Sequence, residues 1–436
     1  MPIPSTPLST PASSAPVVTP RVALAVATTL FFMWGFLTSL NDVLIPHLKA
    51  VFELNYARAM LVQFTFFGAY FLMSLPAGRL VAWLGYKKGI IAGLLIAGVG
   101  ALGFWPSAAL RTYEAFLASL FVLATGITVL QVAANPYVAL LGPEQTASSR
   151  LTLAQALNSL GTTLAPLFGG FLILSTTVKS SEQIDALPAA EQIAYRAAEA
   201  QSVQGPYVGL AIALVLLAVF VCLFRLPSLT EATEKADSGH HTLLDALKRP
   251  HVLFGVLAIF FYVGAEVSIG SLMVNYLALP EIGGGMSEQQ ATRYVSAYWG
   301  CAMVGRFAGS WLLAHYSPRR LLAGFALANV VLLAVTLAAS GKVAMYGIVA
   351  TGLFNSIMFP TIFSLAIERL GPLTNKASSL LIMAIVGGAV IPLLQGLLAD
   401  RVGLHLSFAL PVACYLYIIF YGLVGSRPQA ASGRGG

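Results

Sequence analysis

The chain has 436 residues, of which 58% are hydrophobic and only 9% are charged, and its mean hydropathy is +0.82. So few polar residues cannot cover the surface of a soluble protein of this length, which indicates an integral membrane protein. The formal net charge of +7 comes from Lys and Arg residues scattered over short connections. That pattern is typical of a membrane topology signal and predicts no nucleic-acid partner.

About twelve apolar segments of roughly 20 residues follow one another along the chain, and an apolar helix of that length crosses a bilayer. In the first half the predicted spans are 22–48, 59–84, 88–108, 114–141, 151–175 and 207–224. In the second half they are 251–279, 292–316, 319–340, 343–370, 378–400 and 404–423. The sequence therefore predicts an all-α, multi-pass membrane protein.

The polar stretches around these spans divide the chain into domains. Residues 1–21 and 426–436 are expected to be disordered cytoplasmic tails, because the first is rich in Pro, Ser and Thr and the second in Gly, Ala, Arg and Ser. The stretch 176–205 is predicted to connect the fifth and sixth spans outside the membrane, and SSEQ at 180–183 is a capping pattern that could open a short surface helix there. Residues 227–250 are predicted to be a cytoplasmic linker between an N-terminal bundle, 22–226, and a C-terminal bundle, 251–425. Lys and Arg are concentrated in alternate connections, which predicts cytoplasmic termini.

No residue spacing in the sequence is typical of a metal site. Cys222, Cys301 and Cys414 lie singly in apolar segments, so we expect them to be packing residues rather than metal ligands or disulfide partners. The adjacent His240 and His241 would point apart on a helix, and no third ligand accompanies them. We therefore predict no metal site.

Asp42 is the acidic residue of the first span, and its presence there indicates a functional role. It lies in an otherwise apolar helix, at a depth where the bilayer is hydrocarbon. A carboxylate there costs roughly 2.5 kcal/mol or more, and such residues usually face an internal cavity. The sequence therefore predicts that Asp42 faces a polar cavity between helices.

The two halves of the chain also resemble each other. The motif LGPEQTASS at 141–149 matches LGPLTNKASS at 370–379, with one extra residue, and an Ala-Gly pair recurs at 77–78 and 308–309. Glu266 follows Asp42, and Asn355 follows Gln131, by the same 224 residues, although the motif offsets differ. Duplicated bundles would bring these four residues to a shared cavity near the membrane midplane. The alternative is that each acid pairs with a nearby Arg and serves packing alone.

The chain resembles the major facilitator superfamily, and within it the fucose/galactose/glucose cation symporters, at the motifs LNDVLIP (40–46), AANP (133–136), LGPE (141–144), LAQALNS (153–159) and PTIFSL (360–365). The resemblance implies twelve transmembrane helices in two pseudo-symmetric six-helix bundles. The first and fourth spans of each half would line a sugar cavity that opens alternately to either side. Asp42 matches the first-span acid of the fucose branch, whereas Gln131 stands where that branch has a titratable Glu. The stretches 264–271 and 355–360 resemble the glucose/galactose branch.

The resemblance further implies a secondary active transporter that imports a glucose-, galactose- or mannose-like hexose by symport with a cation. The cation that we expect is H⁺. The expected location is a bacterial-type plasma (inner) membrane. The alternatives are Na⁺ coupling, a fucose- or N-acetylglucosamine-type substrate, and a sugar receptor that does not transport. We expect a monomer in the lipid bilayer, with no enzymatic activity and no cofactor beyond the co-transported ion, because the sequence shows no catalytic motif.

A sugar site requires amides and carboxyls for the hydroxyls and an aromatic face for the ring. Asp42 and Glu266 are the candidates for cation coupling. The polar candidates for sugar binding are Asp42, Gln131, Asn135, Gln155, Asn158, Glu266, Asn275 and Asn355. The aromatic candidates are Trp34, Phe31 and Tyr298. Any single amide could instead serve interhelical packing, and aromatic residues near helix ends could anchor the membrane interface.

Two further expectations concern single helix faces. Gln155 and Asn158 lie three residues apart, so they are expected to share one face and to converge on one ligand. Arg306 is expected nearer the cytoplasmic end, in a gating or structural charge cluster rather than in the sugar site.

Overall fold

A computed structural model describes residues 22–37, 56–110, 112–172, 186–224 and 242–428. These residues are helical almost throughout, and no strand occurs among them. The predicted N-terminal tail, most of the linker between the halves and residues 429–436 lie outside the described residues, as does Asp42.

The first half contains a helix at the position of each of its six predicted spans. The helices are Val22–Leu37, Tyr56–Leu110, Tyr113–Leu140, Ala147–Leu172 and Ala189–Leu223. The long helix Tyr56–Leu110 holds the second and third spans, which are separated at Gly85, where the backbone has φ 76° and ψ 167°. A backbone with positive φ favours glycine, because a Cβ atom would clash there.

The apolar part of the sixth span, Gln204–Leu223, lies where the sequence predicts it, but the helix that contains it begins earlier. Residues 189–205, predicted as part of a polar connection, are helical and continue without a break into the membrane-spanning part of Ala189–Leu223. Ala, Glu and Gln dominate this stretch, and all three are strong helix formers. The connection thus contains a helix, as predicted, but this helix is continuous with the sixth span instead of short and separate. The capping pattern at 180–183 lies outside the described residues.

The second half also contains a helix at each predicted position. Its long helices are Pro250–Leu277, Glu288–His315 and Pro318–Ala338. Its last three spans are each built from shorter pieces, namely Gly341–Asn355 with Met358–Ala366, Thr374–Met383 with Gly387–Val402, and Leu404–Ser407 with Ala409–Phe420 and the π-helical turn Tyr421–Gly425. Eight of the described helical stretches in the chain are long and apolar enough to cross a membrane.

The break in the tenth span has a local cause. Pro360 lacks a backbone N–H group, so it cannot donate to the carbonyl of residue 356, and the helix is interrupted between Asn355 and Met358. The eleventh span is similarly interrupted by the short 3₁₀ turn Ala384–Val386. Both interruptions lie beside the cavity described below.

The two halves meet at one end of the bundle, which we call the closed end. Ser148 and Ser364 are joined by a 2.6 Å hydroxyl hydrogen bond, and the Ser149 hydroxyl donates to the Ser310 carbonyl at 2.7 Å. The backbone N–H of Arg369 donates to Glu144 Oε1 at 3.1 Å. These three contacts between the halves are polar.

The duplicated motifs account for much of this end. The Ala-Ser-Ser stretch at 147–149 contacts the second half next to Gly309, and the matching stretch at 377–379 contacts the first half at Gly78. A Cβ atom added at Gly78 would lie 1.8 Å from Ser379 Oγ. The sequence repeat therefore corresponds to two equivalent junctions, each between the second span of one half and the fifth span of the other.

Candidate functional site

A cavity of about 170 Å³ lies between the two halves, and both contribute to its wall. The lining residues are Gln131, Gln155, Val263, Glu266, Arg306, Phe359, Pro360 and Ile385. The two amides belong to the fourth and fifth spans, and the two charged residues belong to the seventh and eighth. The cavity thus combines hydrogen-bonding groups with apolar side chains, as a site for a small polar ligand does.

Glu266 and Arg306 form the charged part of this wall. Arg306 Nη2 lies 3.9 Å from Glu266 Oε1, and both side chains are mostly buried. Arg306 Nη1 also donates to the hydroxyl of Ser159 in the first half. Glu266 Oε1 and Arg306 Nε have no hydrogen-bond partner in the part of the chain that the structure describes. A buried charged pair with spare hydrogen-bonding atoms is suited to bind a ligand that supplies hydroxyl groups.

Arg306 lies towards the end of its span where it is expected, but its side chain lines the cavity instead of belonging only to a charge cluster outside it. Its backbone lies nine residues before the end of Glu288–His315, towards the closed end. Helix side chains lean towards the N-terminus, and Arg is long enough to reach across one turn. The Arg pairing predicted by the packing alternative for Glu266 does occur, and the pair faces the cavity.

Of the amide candidates in the first half, Gln131 and Gln155 line the cavity. Gln131 Nε2 donates to the hydroxyl of Tyr70 on the second span at 2.9 Å. Gln155 lines the cavity from the helix Ala147–Leu172. Asn158, expected on the same face as Gln155, instead donates from Nδ2 to the Phe31 carbonyl at 2.9 Å and joins the first and fifth spans. The packing alternative describes the contact that Asn158 makes.

Asn355 and Tyr298 belong to a buried network behind Glu266. Asn355 Nδ2 donates to the Tyr298 hydroxyl at 2.7 Å, and its Oδ1 accepts from Asn329 at 2.8 Å and from Tyr415 at 2.7 Å. The Tyr298 hydroxyl in turn donates to the Glu266 carbonyl at 3.3 Å. The network supports the helix that carries Glu266, and neither residue lines the cavity.

The remaining candidates lie elsewhere. Trp34 and Phe31 are buried in the apolar interior of the first half, with ring centroids 5.3 Å apart. Asn135 is fully buried, and neither of its polar side-chain atoms has a hydrogen-bond partner within the described ranges. Asn275 is exposed, nine residues beyond Glu266 on the same helix. The described residues include no group of His, Cys, Asp and Glu side chains that could hold a metal ion.

Sequence reasoning missed Tyr70, Ser159 and Phe359. Tyr70 had a signal in the sequence, because Tyr70 and Tyr298 occupy similar positions in the second span of each half. In the structure, each of these tyrosines accepts a hydrogen bond from the fourth-span amide of its own half. Ser159 had none, because its contact with Arg306 depends on how the halves meet.

Comparison with known proteins agrees with this architecture. Residues 24–384 match the family model of the Major Facilitator Superfamily. A glucose/galactose transporter of Brucella abortus is 50% identical over 409 residues, covering 93% of this chain and 94% of that protein. The L-fucose-proton symporter of Escherichia coli is 36% identical over 412 residues, covering 93% of each.

A solved structure gives the same result. A transporter named FucP, crystallised in the outward conformation, superposes with a TM-score of 0.85 and 35% sequence identity, covering 92% of this chain and 98% of that one. The predicted fold of two six-helix bundles is thereby confirmed. The chain belongs to the Major Facilitator Superfamily.

Proposed function

We propose that this protein is a secondary active transporter that imports a neutral hexose of the glucose, galactose or mannose kind by symport with H⁺. The observation that carries the proposal is the cavity between the halves, where Gln131, Gln155, Glu266 and Arg306 converge. The relative named a glucose/galactose transporter supports the substrate class, and the one named an L-fucose-proton symporter supports the coupling ion.

The chemistry of the cavity suits a neutral polyhydroxylated ligand. Amides both donate and accept hydrogen bonds, Glu266 accepts and Arg306 donates, so each sugar hydroxyl can find a partner. The opposite charges of Glu266 and Arg306 cancel, which favours an uncharged ligand over a sugar phosphate. Phe359 supplies an apolar surface for the ring.

The closed end supports alternating access. In the predicted orientation it faces the cytoplasm, so sugar would enter from outside in this conformation and leave after the polar contacts at Ser148, Ser149 and Glu144 separate. The solved relative in the outward conformation is consistent with that assignment.

Coupling is assigned to Asp42, with Glu266 as a second titrating group or as a sugar ligand. A neutral Asp42 would favour sugar binding, and release of its proton inside would follow release of the sugar. Carboxylate and amide oxygens also suit Na⁺, so the test must distinguish Na⁺ coupling from H⁺ coupling.

Uptake into liposomes tests the proposal. Radiolabelled glucose, galactose, mannose, fucose and N-acetylglucosamine are offered to the purified protein under a pH gradient, a Na⁺ gradient or neither, with protein-free liposomes as the control. We expect accumulation of an aldohexose under the pH gradient alone. Accumulation that requires Na⁺ would contradict H⁺ coupling, and binding of sugar without uptake would favour the receptor.

A side chain at Gly78 is expected to hold the closed end open. Because its Cβ would lie 1.8 Å from Ser379 Oγ and 3.0 Å from Ser379 Cβ, Gly78→Leu must push the two halves apart. We expect slower uptake and a several-fold increase in labelling of a cysteine placed at Ser148, which is buried in the closed end, by a membrane-impermeant thiol reagent applied from the cytoplasmic side.

Gly68→Leu is the matched control, because Gly68 is on the same helix and no atom of the described residues lies within 4 Å of its added Cβ. All variants are made after Cys222, Cys301 and Cys414 have been replaced. Equal labelling of Ser148→Cys in the Gly78 and Gly68 variants would show that the Gly78 contact does not hold this end closed.

A further inference from the structure

We propose that Tyr70 is a positioning residue for the sugar site, one that orients the carboxamide of Gln131 so that its oxygen faces a donor hydroxyl of the hexose. The inference deepens the proposed function and rests on it, because it presumes that Gln131 contacts the sugar. Tyr70 itself does not line the cavity.

The geometry at Tyr70 supports this role. Tyr70 is buried in the second span, and its ring packs against Phe66 with centroids 5.4 Å apart. Its hydroxyl accepts a 2.9 Å hydrogen bond from Gln131 Nε2, while Gln131 is half-buried and lines the cavity. The nitrogen and oxygen of a carboxamide are on opposite branches of one planar carbon, so fixing the nitrogen on Tyr70 directs the oxygen away from it.

The second half contains the same pair in a different state. Asn355 Nδ2 donates to the Tyr298 hydroxyl at 2.7 Å, but its oxygen already accepts from Asn329 and Tyr415. Tyr70 is the only hydrogen-bond partner of Gln131 among the described residues. The duplicated amide-tyrosine pair has therefore diverged. The side-chain oxygen of Asn355 already accepts two hydrogen bonds within the protein, whereas the side-chain oxygen of Gln131 is available to a ligand.

This divergence provides a matched control for the experiment. Tyr70→Phe and Tyr298→Phe each remove one hydroxyl from a buried amide-tyrosine pair, and only the first of these pairs borders the cavity. A general effect of losing a buried hydrogen bond should appear in both variants. An effect confined to the sugar position that Gln131 contacts should appear in Tyr70→Phe alone, because Tyr298 acts on the helix that carries Glu266 and not on Gln131.

The test measures KM and maximal rate of uptake for the transported hexose and for its series of monodeoxy and monofluoro-deoxy analogues. Gln131→Ala first identifies the sugar position that Gln131 contacts, as the one whose deoxy analogue is transported equally by variant and wild type. For Tyr70→Phe we expect KM for the parent hexose to rise about three- to tenfold, the scale of one hydrogen bond, with little change in maximal rate. We expect this rise to disappear for that same deoxy analogue.

The fluorinated analogue adds a check on orientation. Fluorine cannot donate a hydrogen bond, so if the oxygen of Gln131 faces the sugar, the fluoro-deoxy analogue should behave like the deoxy one in wild type and Tyr70→Phe alike. Tyr298→Phe is expected to lower thermal stability and to leave the relative KM values across the series unchanged.

Two results would overturn the inference separately. If Tyr70→Phe raises KM equally for every analogue while Gln131→Ala remains position-selective, Tyr70 does not position Gln131, although the proposed role of Gln131 stands. If Gln131→Ala is not position-selective, the assignment of Gln131 to the sugar fails, and the inference fails with it. If Tyr70→Phe does not fold, Tyr70→His takes its place, because histidine keeps a polar ring at this position. The same two results would then contradict the inference.

Discussion

Arg306→Met is expected to abolish sugar transport and to destabilise the protein. The substitution leaves the Glu266 carboxylate mostly buried without the cation that lies 3.9 Å away, and it removes the hydrogen bond to Ser159 that links the halves. Breaking a buried ion pair by deleting one partner typically costs about 3 kcal/mol or more. Thermal unfolding in detergent and liposome uptake measure the two effects.

The double variant Glu266→Gln, Arg306→Met separates charge from sugar recognition. Because it removes both charges together, we expect it to recover most of the lost stability, and because both charges belong to the proposed sugar site, we expect it to remain inactive. Arg293→Met, at an exposed position on the same helix, is the control and should behave like wild type. A double variant as unstable as Arg306→Met would show that the Glu266 charge is not the cause.

Asp42→Asn is expected to separate sugar exchange from sugar accumulation. An amide resembles a protonated carboxyl but cannot release a proton, so the variant should bind and exchange sugar while losing the response to a pH gradient. Counterflow of labelled sugar should stay within a few-fold of wild type, and uphill accumulation should fall to the level of equilibration. Accumulation at the wild-type level would rule out the coupling role of Asp42.

Glu266→Gln provides the comparison for that experiment. If Glu266 serves as a sugar ligand, its replacement weakens binding by about 1.5 to 3 kcal/mol, the range for a hydrogen bond to a charged group. Counterflow and accumulation should then decline together, in contrast to Asp42→Asn. Loss of accumulation alone would instead make Glu266 a second coupling group.

Much of the fold could be predicted from the sequence. The apolar segments located each of the long apolar helices that the structure describes, since length and hydropathy suffice for a helix in lipid. The repeated motifs at 141–149 and 370–379 predicted two related halves. That the helix of the sixth span starts at Ala189, well before its apolar part, was not predicted, because hydropathy reports where a helix is apolar rather than where it begins.

The candidate site was predicted in part, and the difference has a physical reason. The sequence by itself determined which spans carry acids and amides, and at roughly which depth. Only the tertiary structure decided that Gln155 lines the cavity while Asn158 binds the Phe31 carbonyl. It also decided that the side-chain oxygen of Asn355 accepts hydrogen bonds within its own half, and that Arg306 reaches Glu266. Helical periodicity places a residue on a face of its own helix, but what that face meets depends on how the other helices pack against it.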